Sequence, residues 1–388
     1  MLFALTFTLV AAATAASAPP HKPHAKTATL PLKHVFQVTS IKSMIQQGQN
    51  RLRHVNNPAI SRTSLQAGSI TNQVVTYVAP VIIGGRTWDL IVDTGSSNTW
   101  CGAQESCEPS STGKSTGGFV YVPYGSGWFY GYEFLDHVAF GSLKVASQSV
   151  GAATWSDGFY GVDGIIGFGP SGLTRGTVSN ADKVLTFMDN LHKQGSIPSE
   201  VLAVSFRPLV GADNNDANGE LTLGGVDSTK FTGALKYFPI LTSGAAAAYW
   251  GISIASFTYG STILALSGKG IVDTGTTLIY IPTAAYNNFL SAARGNTDGP
   301  SGLAIFTKKP TSNFGIKFGS TTYTLTPRQY LIPIAQYSFF GLKPDKYYSW
   351  IADGGSSSVN TIIGQKFLEN YYSVFDTTKS RIGFARAI

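Results

Sequence analysis

One short pattern occurs twice in this chain: Leu90-Ile91-Val92-Asp93-Thr94-Gly95-Ser96, and again Gly270-Ile271-Val272-Asp273-Thr274-Gly275-Thr276. Each copy is an apolar run ending in Asp-Thr-Gly and then a hydroxyl residue. The run reads as a buried strand and the Gly as a turn where backbones come close. A carboxylate at the end of a buried strand is costly unless hydrogen-bonded, and the Thr and Ser that follow can donate. A single Asp-Thr-Gly is common in turns. Two copies, each after Ile-Val, indicate an internal duplication.

A second repeat supports the first. Asp163-Gly164-Ile165-Ile166-Gly167-Phe168 follows the first Asp-Thr-Gly, and Asn360-Thr361-Ile362-Ile363-Gly364-Gln365 follows the second, with lags of 74 and 91 residues from Asp to Gly. These paired motifs resemble those of the pepsin-family aspartic endopeptidases, and within that family the fungal polyporopepsin type. The resemblance runs from about Ala67 to Ile388 and takes in Val374-Phe375-Asp376-Thr377 and Arg381-Ile382-Gly383-Phe384-Ala385. It implies an all-β, bilobal acid-protease fold, with two barrel-like lobes and the active-site cleft between them.

The chain opens on an apolar stretch followed by small residues, Met1 to Ala18, of signal-peptide length, with cleavage after Ala15 or near Ala18. Polar segments begin too soon for a membrane anchor. Residues 19–66 differ from the rest. No Asp or Glu precedes Asp89, while Lys22, Lys26, Lys33, Lys42, Arg51, Arg53 and Arg62 account for the whole formal charge of +7. Four of the six His residues lie here too. A basic run is usually a solvated arm, or a nucleic-acid or membrane contact; in this setting a propeptide is the better reading, with neither nucleic acid nor membrane as partner. Leu30-Pro31-Leu32 resembles the first strand of aspartic-protease prosegments. Ile41, Met44, Ile45, Leu52 and Val55 follow with the spacing of one helix face, interrupted by Gly48 and Gln49. Asn57-Pro58-Ala59 with Arg62 resembles the end of pepsin-type prosegments, where a basic side chain pairs with the catalytic carboxylates. Arg62 is the candidate for that pairing, and the head is expected to act as an intramolecular inhibitor released by acid and cut near Gln66.

The remaining 322 residues suffice for two lobes with their own cores. Short β-rich runs separated by Asn218-Gly219, Gly224-Gly225 and Gly354-Gly355 point to an all-β fold. Helical stretches are expected at 184–193, 283–294 and 365–369, with Asp213 to Gly219 as a surface turn. Matching Leu221 to Asp227 to the family places an N-terminal lobe at 67–231 and a C-terminal lobe at 232–388. Cys101 and Cys107, the only cysteines, most simply form one disulfide in a secreted chain, and the family often has a small disulfide loop there. A metal site would need more ligands than His137 and His192 supply beyond the head. No Asn-x-Ser/Thr sequon occurs.

Peptide hydrolysis needs a base to activate water and an acid to protonate the carbonyl oxygen or leaving amine. Two adjacent carboxyls do both by sharing one proton, for which aspartic proteases are the standard example. The resemblance assigns these roles to Asp93 and Asp273, with neither cofactor nor metal. It gives Ser96 and Thr276 to the outer carboxylate oxygens, and Thr94 and Thr274, with Gly95 and Gly275, to the support of the pair. Asp163 and Asp376 fall in segments the family uses structurally. Tyr124-Gly125-Ser126-Gly127 resembles a flap tip closing over substrate, with Trp100 behind the Tyr. Trp128-Phe129-Tyr130 departs from the smaller residues usual beyond that Gly. The implied activity is that of a secreted, monomeric acid endopeptidase, made as a zymogen, cleaving polypeptides beside bulky hydrophobic residues and blocked by pepstatin-type inhibitors. A vacuolar enzyme is the alternative location; a catalytically dead binding protein would have lost an Asp or the flap Tyr.

Overall fold

The computed structural model describes residues 27–37, 40–58, 74–209 and 218–388. The leader (1–18), Arg62, Gln66 and most of the expected surface turn at 213–219 lie outside these residues. The basic head contributes strand β1 (Ala28–Gln37) and helix α1 (Ile41–Asn56). The first half then supplies β2 (Val74–Ile83), β3 (Arg86–Asp93), β4 (Lys114–Pro123), β5 (Trp128–Phe140), β6 (Leu143–Asp157), β7 (Gly164–Gly167), helix α2 (Phe187–Lys193), β8 (Val201–Ser205) and β9 (Gly219–Leu223). From the second half the argument needs β10 (Phe231–Pro239), β11 (Thr262–Val272), α3 (Thr283–Ala293), β12 (Thr361–Ile363), α4 (Gln365–Leu368), β13 (Tyr371–Asp376) and β14 (Arg381–Ala387).

The fold is the bilobal, mostly β architecture implied by the sequence. The duplicated motifs occupy equivalent places. β3 pairs in parallel with β7, setting Asp93 opposite Gly167, and β11 pairs in parallel with β12, setting Val272 opposite Ile363. These four strands are nearly continuous runs of buried Ile, Val and Leu toward the motif end, as parallel strands covered on both faces require. Among the described residues the largest sheet runs β10-β14-β13-β8-β9-β1-β2-β3-β7, then Trp100–Cys101, β6, β5 and β4. The expected lobe boundary at Phe231 falls at the start of β10, which pairs with the closing strand β14.

β1 is an interior strand of this sheet. Its first half pairs with β9 (Leu30 opposite Leu221, Leu32 opposite Gly219), and its second half with β2 (Lys33 opposite Val78, His34 opposite Tyr77). The apolar stripe of α1 buries Ile41, Met44, Ile45, Leu52 and Val55 against Ile271, Leu278, Tyr280 and Ile362 of the second half. Burial of each such side chain is worth roughly 1.5–3 kcal/mol. Gly48, which interrupts the stripe in sequence, belongs to it: a Cβ there would sit 2.2 Å from the Tyr280 ring. Tyr280 donates its hydroxyl to the Met44 and Ile45 carbonyls at 3.0 Å each.

Helix α2 begins three residues later than its sequence suggests. Thr186 and Asp189 form a reciprocal capping box that fixes its start. Asn218-Gly219 is not a free turn, because Gly219 already opens β9. Cys101 and Cys107 are disulfide-bonded and buried. No helix among the described residues is long and apolar enough to cross a membrane.

Candidate active site

Asp93 and Asp273 end their strands in the interior, 1% and 0% exposed. Each carboxylate is held in the same way. The Gly95 N–H donates to Asp93 Oδ1 at 2.9 Å and Ser96 Oγ to Oδ2 at 2.5 Å. The Gly275 N–H donates to Asp273 Oδ1 at 2.9 Å and Thr276 Oγ1 to Oδ2 at 2.6 Å. Each loop also meets the other's carboxylate. A Cβ on Gly95 would lie 2.6 Å from Asp273 Oδ1, and one on Gly275 would lie 2.4 Å from Asp93 Oδ1.

The two threonines tie the loops together. The Thr94 N–H donates to Thr274 Oγ1 at 2.9 Å and the Thr274 N–H to Thr94 Oγ1 at 3.0 Å. Their hydroxyls donate onward to the Val272 and Val92 carbonyls, at 3.2 and 2.8 Å. Gln365, at the start of α4, donates to the Thr274 carbonyl at 2.7 Å. Asp163 and Asp376 stand elsewhere: Asp163 accepts from the Asp89 N–H at 2.8 Å, and Asp376 pairs with Arg381 at 2.7 Å.

A guanidinium lies between the two carboxylates, and it belongs to Arg51 rather than to the expected Arg62. Arg51 projects from the third turn of α1. Its Nη2 reaches Asp93 Oδ2 at 3.2 Å, its Nε reaches Asp273 Oδ2 at 3.0 Å, and its Nη1 donates to the Gly95 carbonyl at 2.9 Å. Burial works against the guanidinium charge, but the two carboxylates outweigh it and raise the Arg51 pKa. Burial by itself would lift Asp93; Arg51, Ser96 and the Gly95 N–H overcome that and hold it below the ordinary carboxylate range. Asp273 is pushed up to about 6, by burial first and then by the neighbouring Asp93 charge, against the pull of Arg51. Two like groups in one buried site thus separate in acidity, as a shared proton requires.

The sequence signal for Arg51 lay in the helix stripe. Arg51 is three residues past Gly48 and adjacent to Leu52, a cation within the buried face of an amphipathic helix. A buried cation implies a buried anionic partner.

The hairpin between β4 and β5 carries the other expected residues. The Tyr124 N–H donates to the Gly127 carbonyl at 2.7 Å, closing the turn. The Tyr124 ring stands 6.4 Å from Trp100 and edge-on to Phe159 at 5.3 Å. Trp100 is fully buried and stacks on Phe129 at 4.3 Å. Gly125 packs on α1, where a Cβ would lie 2.5 Å from the Gln47 carbonyl oxygen. Helix α1 therefore fills the space between hairpin and carboxylates. A cavity of about 50 Å³ is left, lined by Met44, Gln47, Arg51, Gly125, Ser126 and Thr276 among others.

A sequence profile described as eukaryotic aspartyl protease matches residues 76–387. Polyporopepsin of Irpex lacteus is 43% identical over 332 residues, covering 82% of this chain and 97% of the relative. Pepsin A of Sus scrofa is 29% identical over 331 residues, 80% of each chain. The crystal structure of the aspartic proteinase from Irpex lacteus superposes with a TM-score of 0.79 at 36% identity, covering 93% of this chain and 98% of that one.

Proposed function

This chain belongs to the eukaryotic aspartyl protease family and is an aspartic endopeptidase; on that premise we propose that Asp93 and Asp273 are its catalytic pair and the basic head its inhibitor. The observation that carries the reading is the pair of buried carboxylates, held alike by their own loops and bridged by one arginine of the head. With the arginine withdrawn, the pair shares one proton over a water molecule. One carboxylate takes the water's proton while the protonated partner polarises the scissile carbonyl. Ser96 and Thr276 fix the outer oxygens, and the Thr94–Thr274 exchange fixes the distance between loops. The Tyr124 to Gly127 hairpin closes over an extended polypeptide, with Tyr124 and Trp100 shaping an apolar pocket for a bulky side chain. Substrate and α1 compete for one space, so the head-bound chain is a zymogen and a pepstatin-type inhibitor binds only once α1 has left; the apolar leader directs it to secretion.

The test is substitution of each carboxylate in turn. In the enzyme freed of its head, Asp93→Asn and Asp273→Asn should each abolish acid peptide hydrolysis while leaving the melting temperature near that of the parent. Turnover by either folded variant, with contaminating protease excluded, would remove the pair from the mechanism.

A further inference from the structure

The hairpin that carries Tyr124 has a second face. In strands β4, β5 and β6, Val120, Val122 and Phe129 point inward and are buried. The alternate positions carry Phe119, Tyr121, Trp128, Tyr130, Tyr132 and Trp155. Strand register sets Phe119 opposite Tyr132, Tyr121 opposite Tyr130, and Tyr130 opposite Trp155. Phe119 is 46%, Tyr132 54% and Trp155 65% exposed. Phe119 and Tyr130 have ring centroids 6.2 Å apart with planes 11° apart; Tyr130 and Trp155 are 6.2 Å and 21° apart. A row of near-parallel rings thus crosses three strands on the outside of the molecule. Nothing in the peptidase reading uses it, and Trp128 and Tyr130 belong to the run Trp128-Phe129-Tyr130, whose middle member, Phe129, points inward.

We infer that this face binds a neutral, linear polysaccharide of β-linked six-membered sugar rings. Such a ring offers C–H groups on its flat faces and hydroxyls around its rim. An aromatic face covers the former, and Tyr O–H and Trp N–H groups at the edges bond the latter; five of the six side chains have such a group. The charge fits an uncharged occupant. Among the register partners of these six aromatic residues only Asp157, opposite Trp128, is charged, whereas a nucleic acid or an anionic lipid surface calls for clustered Lys and Arg. Peptide addition along the outer strand is blocked. Phe119 exchanges hydrogen bonds with Ser179 at 2.8 and 2.9 Å, and the Tyr121 N–H donates to the Thr177 carbonyl at 3.0 Å, so the edge of β4 is taken. The regular step between rings across three strands suits successive units of a polymer better than a single sugar. This assignment does not depend on the roles of Asp93 and Asp273.

The test uses the full chain at pH 7 with microcrystalline cellulose and with chitin, read as the fraction retained after washing in high salt. The parent should be retained on at least one matrix, with no loss as salt rises. The double variant Tyr130→Ala/Trp155→Ala, shown folded by circular dichroism and melting temperature, should lose about tenfold in retention, as two stacking contacts imply. Tyr132→Ser alone, a milder surface change, should lose part of it, and Trp155→Tyr should keep most. Retention on neither matrix, or equal retention of the folded double variant, overturns the inference. So does self-association of the parent, or capture by phosphatidylcholine vesicles, that the double variant abolishes while polysaccharide retention is unaffected.

Discussion

Gly95 and Gly275 are glycines for want of space rather than for backbone angle. Neither has a positive φ, yet a methyl group on either would press on the opposite Asp at 2.6 or 2.4 Å. Gly95→Ala or Gly275→Ala should therefore displace one carboxylate from the other while leaving the strands intact. We expect kcat to fall about 10²-fold, the usual cost of a misplacement of this size, with little change in melting temperature. A fully active Gly275→Ala enzyme would show that the two loops are not held as close during turnover. At this scale the paired Asp, Thr and Gly were legible because the motif occurs twice. Arg51 was legible only in part: its place on the helix stripe marks a cation turned inward, but nothing near it in the sequence names the anions it meets. Its partners lie 42 and 222 residues away, and only the folded chain brings them together.

Helix α1 combines an apolar stripe with a single buried ion bridge, and the two can be separated by mutation. Arg51→Met keeps length and apolar character but leaves the carboxylates unpaired, which costs roughly 3–5 kcal/mol in a buried site. The variant precursor should hydrolyse peptides, or bind a pepstatin-type inhibitor, at a higher pH than the parent. An unchanged threshold would mean that the stripe alone seats the helix. Gly48→Ala separates propensity from packing. Alanine favours an isolated helix by about 1 kcal/mol, but here it meets the Tyr280 ring at 2.2 Å, and overpacking costs roughly 1–3 kcal/mol. We expect easier release of the head, read as faster hydrogen exchange of the α1 amides. The stripe was visible from sequence by period alone. Gly48 looked like an interruption because the ring that needs its space is on the far side of the chain. The aromatic face was half legible in the same way: alternation in β4 and β5 shows the first five residues, whereas Trp155 joins them only through strand register.

Across the whole molecule, the head is anchored at a second titratable point. His34 in β1 is fully buried, edge-on to Tyr77 at 4.8 Å, and neither ring nitrogen has a hydrogen-bond partner. Burial, and then the nearby Lys366 charge, lower its pKa to about 3; Lys366 is itself paired with Glu369 at 2.7 Å. A released β1 would titrate near the ordinary value of about 6.5. The docked strand therefore keeps its full contribution above that pH and loses about tenfold in docking equilibrium per unit as pH falls from there toward 3. His34→Leu should flatten the dependence of precursor stability on pH by about one proton over this window. If the slope is unchanged, the acid response belongs to the carboxylates alone. The sequence pointed to the strand through Leu30 and Leu32, but not to its place between β9 and β2, since sheet order depends on pairings far apart in the chain.

That interior place has a consequence for direction in time. While β1 and α1 remain joined to the rest, undocking competes with return at an effective concentration on the order of millimolar. A cut anywhere between Asn57 and Val74 turns return into a meeting of two molecules, at whatever concentration the surroundings hold. The contacts of the head need not weaken for this to act: the same strand, with the same register, becomes a dilute ligand. Acid would loosen the head reversibly, whereas scission followed by dilution makes the loosening permanent. A precursor returned to pH 7 before cutting should close again, and one returned afterwards should stay open.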